Sequence, residues 1–354
     1  MKNNWWKILS VILIIYSVTV GMLTPLKPGI TQVVTENGSS SVKTGEEVML
    51  SVKGYNSFYQ ESGDVQAWLK LDSVHLMAAS NISVINDQEL SLKFTMPSHL
   101  PVEGKVHQMT LILDNSIDGT SVLPSAVLVT QNEIDVQKGQ AVWQNATIDK
   151  LHESEKMSYP FRNILSETIR NLFYHVPLWF GMFIIFTAAM IQSILYLVKK
   201  DLDHDRKARA LTSVGILYGI LGLVTGAIWA KHTWGAYWNF DIKQNMSAIL
   251  MLIYAAYFVL RNSLEDEEKQ ARVGGVYNIF AFATIIPLLF VIPRLVDSLH
   301  PGNGGNPGFG GEDLDNTMRL VFYPAIIGWT LFGIWMAQVK LRMSRLEDKL
   351  LEID

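Results

Sequence analysis

The sequence predicts an all-α polytopic membrane protein with six transmembrane helices and an inserted antiparallel, β-sandwich-like domain. Apolar residues make up 49% of the 354 residues and charged residues only 18%, whereas charged residues are about a quarter of an average soluble protein. The apolar excess is uneven, because long apolar runs begin at Val176 while residues 27–155 have the composition of an ordinary soluble domain. Membrane helices and a soluble insertion together explain this composition.

Six segments are apolar enough to be membrane spans, for which roughly 20 residues are needed. They cover residues 8–23, 176–198, 210–229, 246–260 with its flanks, 273–292 and 317–339. The first segment is short, and Lys2 followed by an apolar run also fits a secretory signal peptide. No small-x-small cleavage motif follows it, so we expect a retained anchor.

The orientation follows from the loops, since Lys and Arg concentrate on the cytoplasmic side of membrane proteins. They crowd the loop after residue 198, the loop at 261–272 and the C-terminal tail. Of the opposite loops, one carries only Lys231 and Lys243, and the one between residues 295 and 316 carries neither Lys nor Arg. We therefore expect both termini in the cytoplasm and the large polar segment outside.

The polar segment alternates apolar and polar side chains in short runs, as at 47–53, 65–71 and 109–113, between clusters of turn-forming residues. This period of two predicts a small antiparallel sandwich. We see no catalytic constellation in it and expect it to serve docking or spacing.

Residues 161–173 separate apolar from polar side chains on two helical faces. This pattern predicts a helix lying in the membrane interface and leading to His175. The apolar face would hold Phe161, Ile164, Leu165, Ile169, Leu172 and Phe173. The expected organisation is an anchor at 1–26, a β-rich domain at 27–155, a five-helix membrane domain with this interfacial helix at 156–340, and a cytoplasmic tail at 341–354.

Several classes of function are excluded by composition. The absence of cysteine excludes thiolate metal sites, iron–sulfur clusters, disulfides and a covalently attached c-type haem. No phosphate-binding loop motif is present. A net charge of −4 gives no basic footprint for nucleic acid. Acidic clusters at 201–205 and 265–268 are expected to be solvated loops rather than metal sites.

All eight histidines lie outside the apolar spans, which argues against haem gripped by His pairs in the middle of a helix bundle. His175, His232 and His300 fall at the outer mouth. Because His175 and His300 belong to different helices that end on one side, they can approach one plane from opposite faces. Neutral imidazole is a usual axial ligand of haem iron, although a histidine near lipid headgroups is also an ordinary finding.

Residues 229–241 contain five aromatic side chains in thirteen residues. An interfacial aromatic belt is one explanation. If the segment is helical, Lys231, Trp234, Trp238 and Asp241 share one face, and such a face offers aromatic surface to a flat macrocycle and a cation to its anionic edge.

The run Trp-Gly-x-x-Trp-x-Phe-Asp at 234–241 resembles the "WWD" signature of the haem-handling proteins of cytochrome c biogenesis, and the chain fits the CcmC family better than the longer haem lyases. Residues 170–177 resemble that family's first-histidine motif, and Pro287 and His300 match its proline and second histidine. Phe240 replaces the usual last tryptophan, and Leu295-Val296 stand where a tryptophan pair is common. The insertion is far larger than the family's usual loop.

The resemblance implies a protein that binds haem b non-covalently and transiently at the periplasmic face of the bacterial inner membrane. It would pass the haem to a periplasmic, CcmE-like chaperone, beside an ABC-type release complex like CcmA and CcmB and a small, CcmD-like membrane subunit. Its surroundings would be membrane lipid, with no nucleic acid, and its task would be transfer rather than catalysis. The alternatives are a cytochrome c synthase of the same superfamily and a membrane-anchored binding or signalling protein that acts through its sandwich.

The same resemblance assigns candidate roles to individual residues. His175 and His300 would ligate the iron axially, and Asp241 would orient a cation or fix its loop. The aromatic platform would consist of Trp229, Trp234 and Trp238 beside Phe240. The candidates for the haem propionates are Arg170, Lys231 and Lys243.

Overall fold

The computed structural model describes residues 4–154, 157–163, 165–300 and 314–351. They form two compact units: Pro25–Ser166 is one, and the remaining described residues make up the other. The first is called the β unit and the second the membrane unit. The glycine-rich segment at 301–311, which the sequence suggests is a linker, lies outside the described residues.

The β unit contains nine strands and two short helices, numbered in chain order with the first membrane helix as α1. The strands are β1 (Gly29–Thr35), β2 (Ser41–Lys43), β3 (Glu47–Tyr55), β4 (Gln66–Lys70), β5 (Leu76–Ala78), β6 (Asn81–Asn86), β7 (Glu89–Thr95), β8 (Val106–Asn115) and β9 (Gly119–Thr130). The helices are α2 (Tyr59–Ser62) and α3 (Val136–Val142).

Two sheets with one shared core confirm the predicted β-rich domain. Their strand orders are β1-β3-β7-β6 and β2-β9-β8-β4-β5. The alternating pattern buries Leu90, Leu92 and Phe94 of β7 against side chains of the second sheet, such as Leu111 and Val127. The prediction of a purely antiparallel domain is wrong for one pair of strands, because β2 runs parallel to β9. Strands β1 and β3 are neighbours in the first sheet, but the chain between them forms β2 at the edge of the second sheet. This connection sets the direction of β2.

The membrane unit contains six helical segments that are long and apolar enough to cross a membrane, which confirms the predicted number. Its helices are α1 (Trp5–Leu23), a 3₁₀ helix (Ser166–Phe173), α4 (His175–Lys199), α5 (Leu202–Trp234), α6 (Ile242–Asn262), α7 (Glu267–Ile285), a π-helical turn (Ile286–Val291), α8 (Ile292–Leu295) and α9 (Asn316–Leu351). The 3₁₀ helix with α4 makes one segment, and α7 with the π-helical turn and α8 makes another.

Close helix contacts at small residues hold the spans together, as is common in membranes. A Cβ at Gly215 of α5 would lie 2.3 Å from the Phe186 ring of α4, so only glycine fits there. Phe186 in turn stacks on Tyr254 of α6 with ring centroids 3.6 Å apart. Helix α1 packs on α9, where the Tyr16 hydroxyl donates to the Leu320 carbonyl at 3.2 Å.

The predicted interfacial helix is wrong in its first half. Helical structure begins only at Ser166, which has a left-handed φ of 45°, and it is 3₁₀ rather than α. Phe161 stacks on Tyr55 within the β unit, whereas Ile169 and Phe173 are buried. Ile164 lies outside the described residues. A non-glycine residue in the left-handed region interrupts a right-handed helix, and the sequence pattern does not reveal it.

Asp205 corrects another expectation, because this member of the acidic cluster at 201–205 is buried rather than solvated. Its carboxylate accepts both Nη groups of the equally buried Arg261, with Nη1 at 2.7 Å. The pair joins the start of α5 to the end of α6. Among the described residues, no group of three or more His, Asp or Glu side chains is placed to hold a metal ion.

Candidate functional site

His175 is the first residue of α4, and its imidazole lies against α5. Its Nδ1 is 3.1 Å from the Thr225 hydroxyl. A Cβ at Gly226 would lie only 2.7 Å from His175 Cε1, so the glycine lets the ring approach the α5 backbone. Trp179, one turn along α4, packs edge-on with its centroid 6.2 Å from the imidazole. The position of the His175 ring is therefore fixed by Thr225 and Gly226 of α5.

The hydrogen bonds around His175 favour one tautomer of its neutral ring. The single Thr225 hydroxyl proton is directed at the carbonyls of Leu221 at 2.8 Å and Gly222 at 3.1 Å. With its proton directed there, the hydroxyl oxygen can accept from His175, and the tautomer with a proton on Nδ1 satisfies this contact. Nε2 of the neutral ring keeps its lone pair, which is the form that binds a metal.

Asp241 organises the second histidine. Its Oδ1 is 2.8 Å from His300 Nδ1, and its Oδ2 accepts from the Ser298 hydroxyl at 2.9 Å and the Leu299 N–H at 2.8 Å. Oδ1 also accepts from the Lys243 N–H at 2.9 Å, as the N-cap of α6. One buried carboxylate thus fastens the 298–300 segment to the start of α6.

The surroundings of Asp241 keep it ionised. Burial alone raises the pKa of its carboxyl, but the hydrogen bonds and charge of His300, together with those from Leu299 and Ser298, outweigh burial and hold the pKa well below its usual range. A carboxylate accepts from His300 Nδ1–H, and Nε2 is again the nitrogen with a lone pair to offer a metal.

Two tryptophans of α5 contact the second histidine. The rings of Trp229 and Trp234 meet edge to face with centroids 4.7 Å apart. The His300 ring lies 5.9 Å from Trp229 and 4.8 Å from Trp234. We call this group of three rings the aromatic ledge.

The two imidazoles pack against neighbouring turns of α5. His175 contacts Thr225 and Gly226, and Trp229 of the ledge follows Gly226 by three residues, a rise of roughly 4.5 Å along a helix. The structure therefore brings together His175, His300, Asp241, Trp229 and Trp234.

The predicted helical face from Lys231 to Asp241 is wrong. Helix α5 ends at Trp234, because Gly235 adopts a left-handed φ of 85° and donates its N–H to the Lys231 carbonyl. Residues 235–240 are irregular, and Asp241 begins the next helix. A glycine in this conformation is a common helix terminator. The prediction relied on the spacing of the aromatic residues and did not treat Gly235 as the end of the helix.

The remaining predicted residues of the tryptophan-rich segment have other surroundings. Lys231 Nζ donates to the Gly235 carbonyl at 2.9 Å and lies over the Tyr237 ring. Trp238 and Lys243 are half-buried, and Phe240 is 78% exposed.

Arg170 has a structural role at the end of α1. Its Nη1 donates to the carbonyls of Gly21 at 2.9 Å and Thr24 at 2.7 Å, and its Nε pairs with Glu167. It thereby ties the 3₁₀ helix to the C-terminal end of α1, where a cation is favoured. Arg170 also lines an open surface cavity of about 580 Å³ together with Tyr174, Trp229 and His232.

Thr225, Gly226 and Ser298 were not foreseen as site residues. Thr225 and Gly226 lie in the lead-in to the tryptophan-rich run, and a small-residue pair one turn before a tryptophan is the signal that could have indicated a close approach. Ser298 carries no comparable signal in the sequence.

Comparison with known proteins identifies the family of this chain. A family model described as "CcmC: Heme exporter protein C" matches residues 159–352, more than half of the chain. The chain belongs to this family. The CcmC match covers both histidines, Asp241 and the tryptophans of α5, and it begins at Tyr159 near the end of the β unit.

Curated CcmC relatives are distant in sequence. "Heme exporter protein C" of Bradyrhizobium diazoefficiens is 27% identical over 176 residues, which are 49% of this chain and 66% of that protein. The proteins of the same name from Paracoccus denitrificans and Escherichia coli K12 are 24% and 21% identical and are covered over 72% and 70% of their length. The alignments thus span about half of this chain and two thirds to three quarters of those relatives.

Proposed function

We propose that this protein binds haem at the periplasmic face of the bacterial inner membrane and delivers it to a periplasmic haem chaperone for cytochrome c maturation. Membership of the CcmC family supports haem handling. The observation that carries the proposal is the pair of imidazoles that pack against neighbouring turns of α5, each with Nδ1 in a hydrogen bond and Nε2 left to offer its lone pair.

The residues around the imidazoles suit haem as cargo. Trp229 and Trp234 offer aromatic surface to the porphyrin, with Trp238 and Phe240 further along the same loop. Lys231, Lys243 and Arg170 supply cations for the propionates. Without cysteine in the chain, haem b would be held non-covalently and could be released.

The charge distribution supports a periplasmic site. His175 begins α4, and Lys199 ends it. The site therefore lies at the opposite end of this span from the basic loop that we assign to the cytoplasm. Both termini would then be cytoplasmic, and the β unit periplasmic.

In this proposal Asp241 positions the second ligand. Its carboxylate fixes the orientation and tautomer of His300, as carboxylates commonly do for metal-bound histidines. Haem would stay bound until a Lewis base of the chaperone replaces a histidine. An ABC-type release complex and a small membrane subunit would act beside the protein, as we expect for its family.

The test is the absorption spectrum of the purified full chain. We expect substoichiometric haem with a low-spin, bis-histidine spectrum. His175→Ala and His300→Ala should each change the ligation or lower the retention. His204→Ala is the matched control, since His204 lies at the other end of the helices, where it contacts Gln192.

Unchanged haem spectra in both histidine variants would refute the assignment. Reconstitution with purified partners separates transfer from synthesis. A haem-transfer protein loads the chaperone only, whereas a cytochrome c synthase converts apocytochrome to holocytochrome.

A further inference from the structure

The two histidines of the site have chemically unlike partners. His300 Nδ1 is 2.8 Å from the Asp241 carboxylate, while His175 Nδ1 is 3.1 Å from the Thr225 hydroxyl. The first partner carries a full negative charge, and the second is neutral.

A carboxylate partner makes an imidazole a stronger electron donor to a metal. Hydrogen bonds to an ionised group are also roughly twice as strong as those between neutral groups. Thr225 already directs its own proton at main-chain carbonyls of α5 and has no charge to share. An iron between the two rings would therefore be held more tightly by His300 than by His175.

The packing around each ring increases the difference. His300 is wedged against Trp229 and Trp234, and its backbone segment is tied to Asp241 through Ser298 and Leu299.

At His175, by contrast, the ring lies on the α5 backbone at Gly226 and touches Trp179 at its edge. Removing iron from His175 would disturb none of the hydrogen bonds that hold the 298–300 segment.

We propose that His300 is the retained ligand of the haem iron and that His175 is the ligand exchanged during transfer. This inference rests on the proposed function. In this step the bond between iron and His175 Nε2 breaks, the electron pair stays on the imidazole, and a Lewis base of the acceptor protein forms the new bond. The iron keeps its oxidation state, because the step is a ligand substitution.

The experiment uses the full-length, haem-loaded protein, reduced and exposed to carbon monoxide. Carbon monoxide replaces one axial ligand, and its C–O stretching frequency reports how strongly the opposite ligand donates to iron. We expect the band of the unmodified protein to coincide with that of His175→Ala, since both keep His300. The band of His300→Ala should be shifted.

Three further variants test the hydrogen-bond partners of the two histidines. Asp241→Asn should shift the C–O band and Thr225→Val should leave it unchanged, while Asp241→Glu should restore it towards the original position. A purely structural role for Asp241 would lower the haem content without moving the band.

The inference is overturned if the unmodified protein matches His300→Ala instead, if Thr225→Val shifts the band more than Asp241→Asn, or if both variants shift it equally. These outcomes leave bis-histidine binding intact. Failure of the proposed function is distinct, because the purified protein would then show no haem spectrum that depends on either histidine.

Discussion

Two buried carboxylates at opposite ends of the membrane unit show how the partner decides the role of a residue. Asp205 pairs with Arg261, and both side chains are 3% exposed. Asp241 is equally enclosed, with 2% of its side chain exposed, but its partner His300 is 19% exposed. Arginine is permanently charged and binds no metal, whereas histidine can give its second nitrogen to iron.

On the proposed function, Asp205 stabilises the fold and Asp241 serves haem binding. The Asp205–Arg261 pair is closed to solvent, and it bridges the start of α5 and the end of α6. Asp241 holds one nitrogen of the His300 imidazole, Nδ1, in a hydrogen bond and leaves the other nitrogen, Nε2, with its lone pair. Loss of the first carboxylate should therefore damage the fold, and loss of the second should damage binding.

The largest expected effect is that of Asp205→Ala on stability. It leaves the Arg261 charge buried without its partner, which typically costs about 3–5 kcal/mol. Thermal unfolding in detergent should show a large drop in melting temperature. The matched control is Asp203→Ala, because Asp203 makes more exposed pairs with Lys207 and Arg345, which contribute about 0–1 kcal/mol. Equal losses in both variants would contradict a special role for the buried pair.

Asp241→Asn should sharpen the contrast by affecting binding more than folding. Asparagine can still cap α6, but it removes the charge beside His300. Haem affinity should fall roughly 10–100-fold, as for other metal-orienting partners, with a smaller change in melting temperature than in Asp205→Ala. Haem titration measures the affinity, and an unchanged value would show that Asp241 only caps the helix.

Gly226→Ala tests the close contact between His175 and the α5 backbone. The new Cβ would lie 2.7 Å from His175 Cε1, so the ring must move, at a cost of about 1–3 kcal/mol for overpacking. We expect a perturbed haem spectrum and weaker retention. Gly275→Ala is the control, since its nearest neighbour is a side-chain atom of Leu197 at 3.5 Å. Identical spectra in the two variants would show that His175 tolerates displacement.

The smallest effect is expected from replacing residues 28–158 with a short linker. The ends of this segment meet, because the Lys27 N–H donates to the Tyr159 carbonyl at 2.7 Å and the Tyr159 N–H donates to the Pro25 carbonyl at 2.9 Å. The haem spectrum of the six-span remainder should be unchanged. A lost spectrum in a protein that still folds would assign part of the haem site to the β unit.

The sequence by itself determined the elements and the family. Hydropathy gave six spans, alternation gave a two-sheet insertion, and the run at 234–241 with His175 and His300 indicated the family that the comparison confirms. These features are encoded in short stretches of chain, where the period of the pattern follows directly from helix or strand geometry.

Only the tertiary structure decided which groups meet. Asp241 and His300 are 59 residues apart, and Asp205 and Arg261 are 56 apart, so no local pattern links either pair. The end of α5 at Gly235 likewise overrode the helical spacing of the aromatic residues. Side chains from distant segments share a hydrogen bond only because packing of the helices brings them within reach, and a one-dimensional pattern carries no information about that packing.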